Sequence, residues 1–518
     1  MLIEHNVVHK NPHKVDVRFA SCYPNLYKTA MSSLGYHIIY DFLNSREDVF
    51  CERVVYPYPK SLESNTTLKN FDIISFSLQY EQDYFNVLSM LNKGNIPVRC
   101  ADRTSKDPLI IAGGPCATAN PIPMSNFIDL FIVGEAEVIL DEVLDLYMEL
   151  DDPKKDIDAF LDIKGVYVAD NPVKRCIVKD MDDACHPTRQ VVPETLDKRF
   201  IPAFGRAFLL GVSRGCSRGC RFCMSGYLYR PRRETSLKKL LKIAEKGRRA
   251  TGLNKIALIG AAVSDYTKID ELAGKLLEND FALTTPSLRI ETVTEKLMDS
   301  LHESGLKTIT IAPESTFLIR RSLNKDFDDD KLINISKMAF ERNMNIKYYF
   351  LIGTPGESMK DLKEMIDLIK NLRKIAPRKN MVKLSFNPLI PKPHTPFQWE
   401  QFNYEDVKSK ISYINKNLGY KSFKIENLKG AFIQYILSLG DRRLGDLIER
   451  SWQNRINLKE WEKYNKTINY DLESTLPWKN IDVGVKKEFI IKEYKRMNQG
   501  KVTDWCEEYG CYKCGSCV

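Results

Sequence analysis

The sequence predicts an α/β protein with three parts: an N-terminal Rossmann-like parallel sheet, a partial (β/α)6 barrel and a mostly helical C-terminal region. Two stretches alternate short apolar strands with amphipathic helices, the first over residues 14–150 and the second from residue 206 onwards. This alternation is typical of parallel sheets covered by helices. The chain has 518 residues, more than a single hydrophobic core usually organises, so several domains are expected.

The first alternation predicts a sheet domain over residues 1–150. Strand patterns occur at "VDVRFAS", "CERVVYP", "FDIISFSLQY", "PLIIAGGP" and "IDLFIVGEAE". Parallel sheets bind ligands at the carboxyl ends of their strands, where this sequence places Gly113, Gly114 and Gly134. Residues 151–205 are rich in charge and proline and are predicted to form a connector.

The second alternation predicts a partial barrel over residues 206–400, because a closed barrel would need eight strand–helix repeats and six are visible. The strand patterns are "AFLLGVS", "KIALIGA", "SLRIETV", "KTITIAP", "IKYYFLIG" and "VKLSFNPLI". Helices are expected at 234–250, 268–280, 294–304, 329–343 and 358–375. Residues 401–518 are predicted to be mainly helical, with a cysteine-rich end.

Composition places the chain among cytoplasmic globular proteins. It is 43% hydrophobic and 28% charged, with no apolar run of the ~18 residues that a membrane span needs and no secretory signal pattern. An odd number of cysteines, 13, argues against a disulfide framework and for reduced thiols. The net charge of +9 is mild for this length, so it permits a nucleic-acid partner without implying one.

Three cysteines lie within eight residues, on the loop predicted to follow the first barrel strand: Cys216, Cys220 and Cys223. A closed structural zinc site needs four ligands. A 4Fe–4S cube normally takes one thiolate per iron, so three thiolates leave one iron open to a substrate or cofactor. Gly215 and Gly219 would let the backbone wrap closely around such a cluster.

The spacing C-x3-C-x2-C, with Phe222 before the last cysteine, resembles the signature of radical S-adenosylmethionine (SAM) enzymes. The resemblance implies that the open iron binds the amino and carboxylate groups of SAM. One electron from a low-potential donor such as ferredoxin or flavodoxin would then cleave SAM to methionine and a 5′-deoxyadenosyl radical. The chemistry also implies strictly anaerobic handling.

The same resemblance implies SAM contacts at later strand ends. Gly260 to Ser264 stand at the family's glycine-rich turn for the methionine amino group, although this copy has one glycine followed by alanines. Arg289 is a candidate partner of the methionine carboxylate, Glu314 of the ribose or substrate, and Gly353 of the adenine, with Gly356 nearby. The alternatives are an ion pair between Arg289 and Glu314, and turn requirements at the two glycines.

The N-terminal segments, with "RPRRE", "PKPHTPFQW" and the cysteine-rich tail, resemble one subgroup of radical SAM proteins that carries a cobalamin-binding-type domain. The resemblance covers nearly the whole chain. The D-x-H-x-x-G motif of base-off cobalamin domains is missing, with no histidine before His37 in the corresponding loop. Three hypotheses stay open: cobalamin on Gly113, Gly114 and Gly134 without an axial histidine, a substrate platform without the cofactor, or glycines that only allow tight turns.

Four further cysteines, spaced C-x4-C-x2-C-x2-C, end the chain: Cys506, Cys511, Cys514 and Cys517. Four thiolates can close a site, and the candidate occupants are a second 4Fe–4S cluster or zinc. Two weaker candidates are His394, interpreted mainly as a structural histidine, and the basic run 229–252. That run could line a path for RNA or an acidic peptide, or could be a solvated helix face, the favoured interpretation.

The sequence therefore predicts a radical SAM iron–sulfur enzyme that binds SAM, in its most concrete form a cobalamin-dependent methyltransferase acting on an unactivated carbon. The first alternative is a cobalamin-free radical SAM enzyme that modifies RNA or protein by sulfur insertion. The second is a non-enzymatic iron–sulfur electron-transfer protein. The three-cysteine loop argues against the last, since a pure electron carrier needs no open iron.

Overall fold

The computed structural model describes residues 2–168, 170–419 and 423–517. A six-stranded sheet with helices on both faces is followed by a series of parallel strands backed by helices, and then by a C-terminal group of helices. The predicted α/β fold class is confirmed. The domain boundaries stay a prediction.

The N-terminal sheet has five parallel strands and one antiparallel edge strand. The strands of this half are β1 (Ile3–His5), β2 (Val17–Tyr23), β3 (Val49–Val55), β4 (Ile73–Ser77), β5 (Leu109–Gly113), β6 (Leu130–Ile132), β7 (Val166–Tyr167), β8 (Val173–Lys174) and β9 (Val192–Glu194). The sheet order is β3-β2-β4-β5-β6-β7, with β7 antiparallel to β6. Nearly every residue of β2 and β3 is buried, as expected for strands covered on both faces.

Helices cover the two faces of this sheet. They are α1 (Tyr27–Ala30), α2 (Leu34–Ser45), α3 (Tyr84–Lys93), α4 (Pro115–Ala119) and α5 (Leu140–Glu149). Helices α1, α2 and α5 share one apolar cluster with the sheet. Helices α3 and α4 belong to a second cluster, which continues without a break into the barrel strands and the C-terminal helices. One hydrophobic core therefore joins the N-terminal sheet to the rest of the chain.

Six strand–helix repeats form the second part. The remaining strands are β10 (Phe208–Gly211), β11 (Ser213–Arg214), β12 (Arg233–Glu234), β13 (Lys255–Ile259), β14 (Ala282–Thr284), β15 (Thr308–Glu314), β16 (Asn345–Ile352), β17 (Val382–Pro388), β18 (Lys424–Ile425) and β19 (Ile481–Asp482). Strands β10-β13-β14 and β15-β16-β17-β18 form two parallel sheets, which a bridge between Leu288 and Ile311 connects. This matches the predicted partial barrel.

Helices back these strands and then form the C-terminal part. They are α6 (Ser225–Leu228), α7 (Leu237–Thr251), α8 (Ile269–Glu278), α9 (Glu295–Glu303), α10 (Phe317–Ser322), α11 (Asp329–Glu341), α12 (Met359–Ile375), α13 (Tyr404–Leu418), α14 (Leu428–Leu439), α15 (Leu444–Asn454), α16 (Leu458–Asn465), α17 (Lys487–Asn498) and α18 (Cys506–Tyr509). Local signals set their ends. Ser236 caps α7, and Ser358 forms a capping box with Asp361 at the start of α12.

One strand prediction was wrong. The third barrel strand is β14 rather than "SLRIETV", residues 287–293, in which only Leu288 makes a bridge. Pro286, just beyond β14, cannot donate a ladder hydrogen bond, and the chain turns there. As a result Arg289 and Glu291 lie on a turn beyond the carboxyl end of the strand.

Candidate functional site

The three-cysteine loop, residues 212–224, follows β10 at its carboxyl end, as the sequence predicted. Cys216 and Cys220 are buried and Cys223 is half-buried. Burial, and then the charges of Cys220 and Cys216, raise the pKa of Cys223 to about 12. The three thiols are therefore close neighbours in an enclosed loop, the arrangement that a cluster with three protein ligands needs.

Two glycines give this loop its shape. Gly215 has a φ of +81°, and a Cβ there would collide with the carbonyl oxygens of Tyr229 and Pro231. Gly219 has a φ of +72°, also in the left-handed region that favours glycine. The side-chain amide of Asn324 donates hydrogen bonds to the Arg218 and Gly219 carbonyl oxygens at 3.1 and 3.2 Å. The loop is thus held in one conformation by the rest of the chain.

Arg289 faces the cysteines. Its Nη1 lies 3.3 Å from Cys220 Sγ, its Nη2 pairs with Glu291, and its buried Nε has no partner among the described residues. Burial alone would lower the pKa of Arg289, but the charges of Cys220 and Glu291 raise it well above its usual value. The side chain is a fixed cation beside the sulfurs, suited to an anionic group such as a carboxylate.

Glu314 lies at the end of β15 and is ion-paired with Lys325 at 2.9 Å, both side chains being buried. The predicted alternative, an ion pair between Arg289 and Glu314, does not form, because Arg289 pairs with Glu291 and Glu314 pairs with Lys325. Glu314 has a φ of +65°, a conformation that costs a non-glycine residue about 1–3 kcal/mol and is typical of functional sites.

The other predicted SAM contacts lie at neighbouring strand ends. Ser264 Oγ accepts hydrogen bonds from the Arg289 backbone N–H and from Thr292 Oγ1, so Ser264 orients the Arg289 turn. A Cβ at Gly260 would lie 3.0 Å from Ser213 Oγ. Gly353 has a φ of +78° and donates its N–H to Glu357 at 2.8 Å, which meets a turn requirement.

Phe222, which precedes the last cysteine of the three-cysteine loop, packs against other apolar side chains of the protein. It packs against an apolar cluster formed by α10, α17 and the segment after β17. The residue therefore contributes packing that fixes the three-cysteine loop on the barrel.

Sequence reasoning missed a group of buried polar atoms beyond the carboxyl ends of β14, β15 and β16. Each lacks a hydrogen-bond partner among the described residues: Thr285 Oγ1, Glu291 Oε2, Ser315 Oγ, Thr316 Oγ1, Thr354 Oγ1 and Glu357 Oε1. Buried polar groups are normally paired, so an unpaired set at one end of a barrel fits a polar ligand. The available signal was a serine or threonine within two residues of the end of each apolar strand. Together with Arg289, these atoms fit a zwitterionic nucleotide such as SAM beside the three cysteines.

A cavity of about 580 Å³ lies where the carboxyl ends of the N-terminal sheet meet the first two barrel strands. The N-terminal sheet contributes Gly113, Gly114 and Gly134, and the barrel side contributes Gly215 and Gly260. Most of its wall is apolar, and its size is within the ~300–1,000 Å³ range of small-molecule sites. The sequence-predicted glycines of both domains therefore meet around one space.

The three glycines of the N-terminal sheet differ in how much room surrounds them. A Cβ at Gly134 would collide with the Cys176 backbone, and one at Gly114 would approach the Leu78 carbonyl oxygen to 2.8 Å. Packing of the chain itself therefore requires these two glycines. At Gly113 the nearest atoms to a Cβ lie at 3.6 Å, so this glycine is free of such a requirement.

Charged side chains close one side of the cavity. Glu135 pairs with Arg233 at 2.7 Å and with Arg214 at 3.1 Å, and Arg214 pairs with Glu137 at 2.6 Å. His186 also lines the cavity, and its Nε2 accepts the Gly211 N–H at 3.0 Å. Burial lowers the pKa of His186 to about 4, so the ring is neutral at physiological pH.

The tail cysteines lie near one another beside the three-cysteine loop. Burial, and then the charges of Cys514, Cys506 and Cys511, raise the pKa of Cys517. No three His, Cys, Asp or Glu side chains of the described residues are close enough to share a single metal ion. In a 4Fe–4S cube each thiolate binds its own iron, so the sulfurs need not meet at one point.

The two weaker candidates have structural roles. The buried His394 donates its Nε2–H to the Ala119 carbonyl oxygen at 3.0 Å, which joins the segment after β17 to α4. The basic run 229–252 divides in two. Arg230 and Arg233 are buried, whereas the exposed cations of α7 recur at helical spacing as a solvated face: Lys238, Lys242, Lys246 and Arg249.

Fold and site together define a radical SAM enzyme. The sequence profile described as "Radical SAM superfamily" matches residues 210–369, and the profile described as "Radical SAM proteins, N-terminal" matches residues 35–169. The chain belongs to this superfamily, and its members use a 4Fe–4S cluster and SAM. No described helix is long and apolar enough to cross a membrane.

Several known proteins are similar to this chain. "Uncharacterized protein MJ0966" of Methanocaldococcus jannaschii is 34% identical over 472 residues, 89% of this chain and 98% of that protein. "Ribosomal protein uS12 methylthiotransferase RimO" of Petrotoga mobilis is 24% identical over 43% of this chain and 53% of its own length. The solved structure of the radical SAM methyltransferase TsrM from Kitasatospora setae has a TM-score of 0.50 at 12% identity, covering 74% of this chain and 78% of TsrM. The last similarity concerns the fold alone.

Proposed function

We propose that this enzyme transfers a methyl group to an unactivated carbon, with a cobalamin-type cofactor in the cavity between the N-terminal sheet and the barrel. The observation that carries the proposal is the cavity itself. It is lined both by glycines of the N-terminal sheet, Gly113, Gly114 and Gly134, and by Gly215 and Gly260 of the barrel side. A second cofactor held there would lie beside the three-cysteine loop.

The residues of the barrel mouth have distinct proposed roles. Cys216, Cys220 and Cys223 would hold the 4Fe–4S cluster, which when bound supplies the electron that cleaves SAM. Arg289 would bind the methionine carboxylate, because it is a buried cation beside Cys220 with an unpaired Nε. Glu291 Oε2, a buried acceptor without a partner, would receive the methionine ammonium.

The edge of the N-terminal sheet would hold cobalamin. Around the cavity, Ser75, Ser77 and Gln79 add side-chain hydrogen-bonding groups to the glycine backbone. The lining residues include one histidine, His186, and its Nε2 already accepts a backbone N–H. The proposal therefore has the cofactor bound without an axial histidine from this chain, and the cofactor would serve as the methyl carrier.

The test is a count of bound cobalamin after anaerobic purification and incubation with hydroxocobalamin. We expect the wild-type protein to retain cobalamin and Gly113→Ala to retain much less. Gly113 lines the cavity, and a Cβ there would lie in ordinary van der Waals contact, 3.6 Å from Ile132, so the change adds a methyl group to the wall without disturbing the fold. Gly274→Ala is the matched control, because nothing lies near a Cβ there and the residue is in α8. An intact cluster that cleaves SAM in a protein retaining no cobalamin would contradict the proposal.

A second candidate is sulfur insertion into RNA or protein. The similar proteins include the methylthiotransferase RimO and a "tRNA-2-methylthio-N(6)-dimethylallyladenosine synthase" of Petrotoga mobilis, the latter 22% identical over 60% of this chain and 64% of its own length. For sulfur insertion, the tail thiols beside the three-cysteine loop would bind a second iron–sulfur cluster. Methylthiolated product without cobalamin dependence would favour it over methyl transfer.

A further inference from the structure

The C-terminal tail lies directly on the three-cysteine loop, and Ser217 is the main point of contact. Trp505 Nε1 donates a hydrogen bond to Ser217 Oγ at 3.0 Å, Ser217 Oγ donates to Glu507, and Tyr512 OH donates to the Ser217 carbonyl oxygen at 3.1 Å. The guanidinium of Arg218 stacks on the Trp505 ring, 3.5 Å from its centroid. Residues almost 300 positions apart thus form one contact surface.

Arg230 connects the loop to a tail cysteine from the buried side. Its Nε donates to the Gly226 carbonyl oxygen at 2.7 Å, and its Nη2 donates to the Ser217 carbonyl oxygen at 3.0 Å. Its Nη1 donates to Tyr512 OH at 3.2 Å and lies 3.8 Å from Cys514 Sγ. This 1%-exposed side chain spans the three-cysteine loop and the tail at once.

The tail thiols have the chemistry of a metal site. Cys514 is buried, and its Sγ lies 3.8 Å from the Nη1 of Arg230. Thiolate is the form that binds iron and zinc. Cys511 and Cys517 are exposed and so are open to an incoming ion.

We propose that the four tail thiols bind a thiophilic metal group, and that this binding holds the three-cysteine loop in position through Arg230 and Ser217. The four thiolates do not converge on one point, which suits an iron–sulfur cluster, with one thiolate on each iron, rather than a single zinc ion. Metal bound at Cys514 and its three neighbours fixes Tyr512 and Arg230, and these fix the Ser217 and Gly226 carbonyls. The inference does not depend on which group the enzyme transfers.

The experiment compares the full-length protein with Cys511→Ser/Cys517→Ser, a double variant of the two exposed cysteines. Both proteins are reconstituted anaerobically, in one arm with iron and sulfide and in the other with iron, sulfide and zinc. We expect the wild-type tail to take up iron rather than zinc in both arms, and the double variant to lose about four irons. We also expect amide hydrogen exchange over residues 215–230 to accelerate by about five- to tenfold, the scale of losing one or two hydrogen bonds.

Two further variants make the outcome decisive. Cys100→Ser removes a half-buried thiol of the N-terminal part and should change neither metal content nor exchange. Arg230→Lys should keep the tail metal yet accelerate exchange over 215–230, because lysine cannot reach four partners at once. The proposal is overturned if the double variant keeps the full metal content. It is equally overturned if the metal is lost while exchange over 215–230 stays within about twofold of wild type.

Discussion

The two cysteine groups of this chain are opposites in number, burial and support. The three-cysteine loop is enclosed by β10, Arg289 and α10, and its glycines adopt conformations that surrounding atoms dictate. The tail has four cysteines, two of them exposed, and over residues 500–517, which the structure describes, its regular structure is the single turn of α18. An incomplete ligand set has to be shaped by the fold around it, whereas a complete set can organise an otherwise irregular chain end.

The largest expected effect comes from breaking the incomplete set. Cys220→Ser should reduce 5′-deoxyadenosine release from SAM under anaerobic reduction to background, because a cube with two thiolates is not retained. Cys511→Ser should lower release by less than about tenfold, since it acts only through the position of the loop. Equal losses in both variants would show that the two groups are not functionally distinct.

The next effect concerns the attachment of the three-cysteine loop to α17. Arg221 is fully buried, pairs with Glu493 at 3.1 Å and donates to the Lys501 carbonyl oxygen at 2.7 Å. Arg221→Met should destabilise the protein by about 3–5 kcal/mol because it leaves a buried carboxylate unpaired. Thermal unfolding measures the loss.

The double variant Arg221→Met/Glu493→Leu is the control for that loss. It removes both charges together and should recover much of the lost stability. An unchanged unfolding temperature in Arg221→Met would mean that the loop does not depend on this ion pair.

A smaller effect is expected at the residue that we propose to bind the SAM carboxylate. Arg289→Ala should weaken SAM binding by about 10–100-fold, the range found when a partner close to a metal ligand is removed. Isothermal titration with the cluster loaded measures this affinity. Arg248→Ala, on α7, is the control. A similar loss of SAM affinity in this variant would contradict a specific role for Arg289.

The smallest effect sharpens the comparison from the tail side. Ser217→Ala removes the hydroxyl that contacts Trp505 and Glu507 but keeps the carbonyl bound by Arg230. We expect a loss of about 1 kcal/mol in local stability, read from hydrogen exchange of the loop. Ser412→Ala, on the exposed side of α13, is the control and should leave exchange over 215–230 unchanged. If Ser217→Ala accelerated this exchange as much as Arg230→Lys does, the main contact would lie at the Ser217 hydroxyl rather than at its carbonyl oxygen.

Much of the fold was visible in the sequence because strand, helix and turn preferences are local. The pattern "PLIIAGGP" predicted a strand where β5 lies, and the spacing of Cys216, Cys220 and Cys223 placed them on the loop after β10. The helix expected at 358–375 is α12, which begins at its capping box. These signals lie within windows of ten to twenty residues, so one sequence suffices to find them.

The partners of the site residues could not be predicted in the same way. Glu314 pairs with Lys325 rather than Arg289, and Arg221 with Glu493, because packing brings these residues together. The strand expected at 287–293 failed because Pro286 ends the ladder and leaves Arg289 on a turn. Contacts between residues 217 and 505 have no sequence periodicity that would reveal them. They depend on where the whole chain end packs.

The uninterrupted apolar core has a consequence for how molecules enter and leave. Helices α3 and α4 share that core with the barrel strands and with α14 and α15. Separating the N-terminal sheet domain from the rest of the chain would therefore expose a large apolar surface to water. Wide hinge motion is therefore costly. Substrate and cofactors must therefore reach the cavity between the N-terminal sheet and the barrel through movements of individual loops. A fragment ending near residue 205 would leave the shared apolar surface exposed and should aggregate rather than fold by itself.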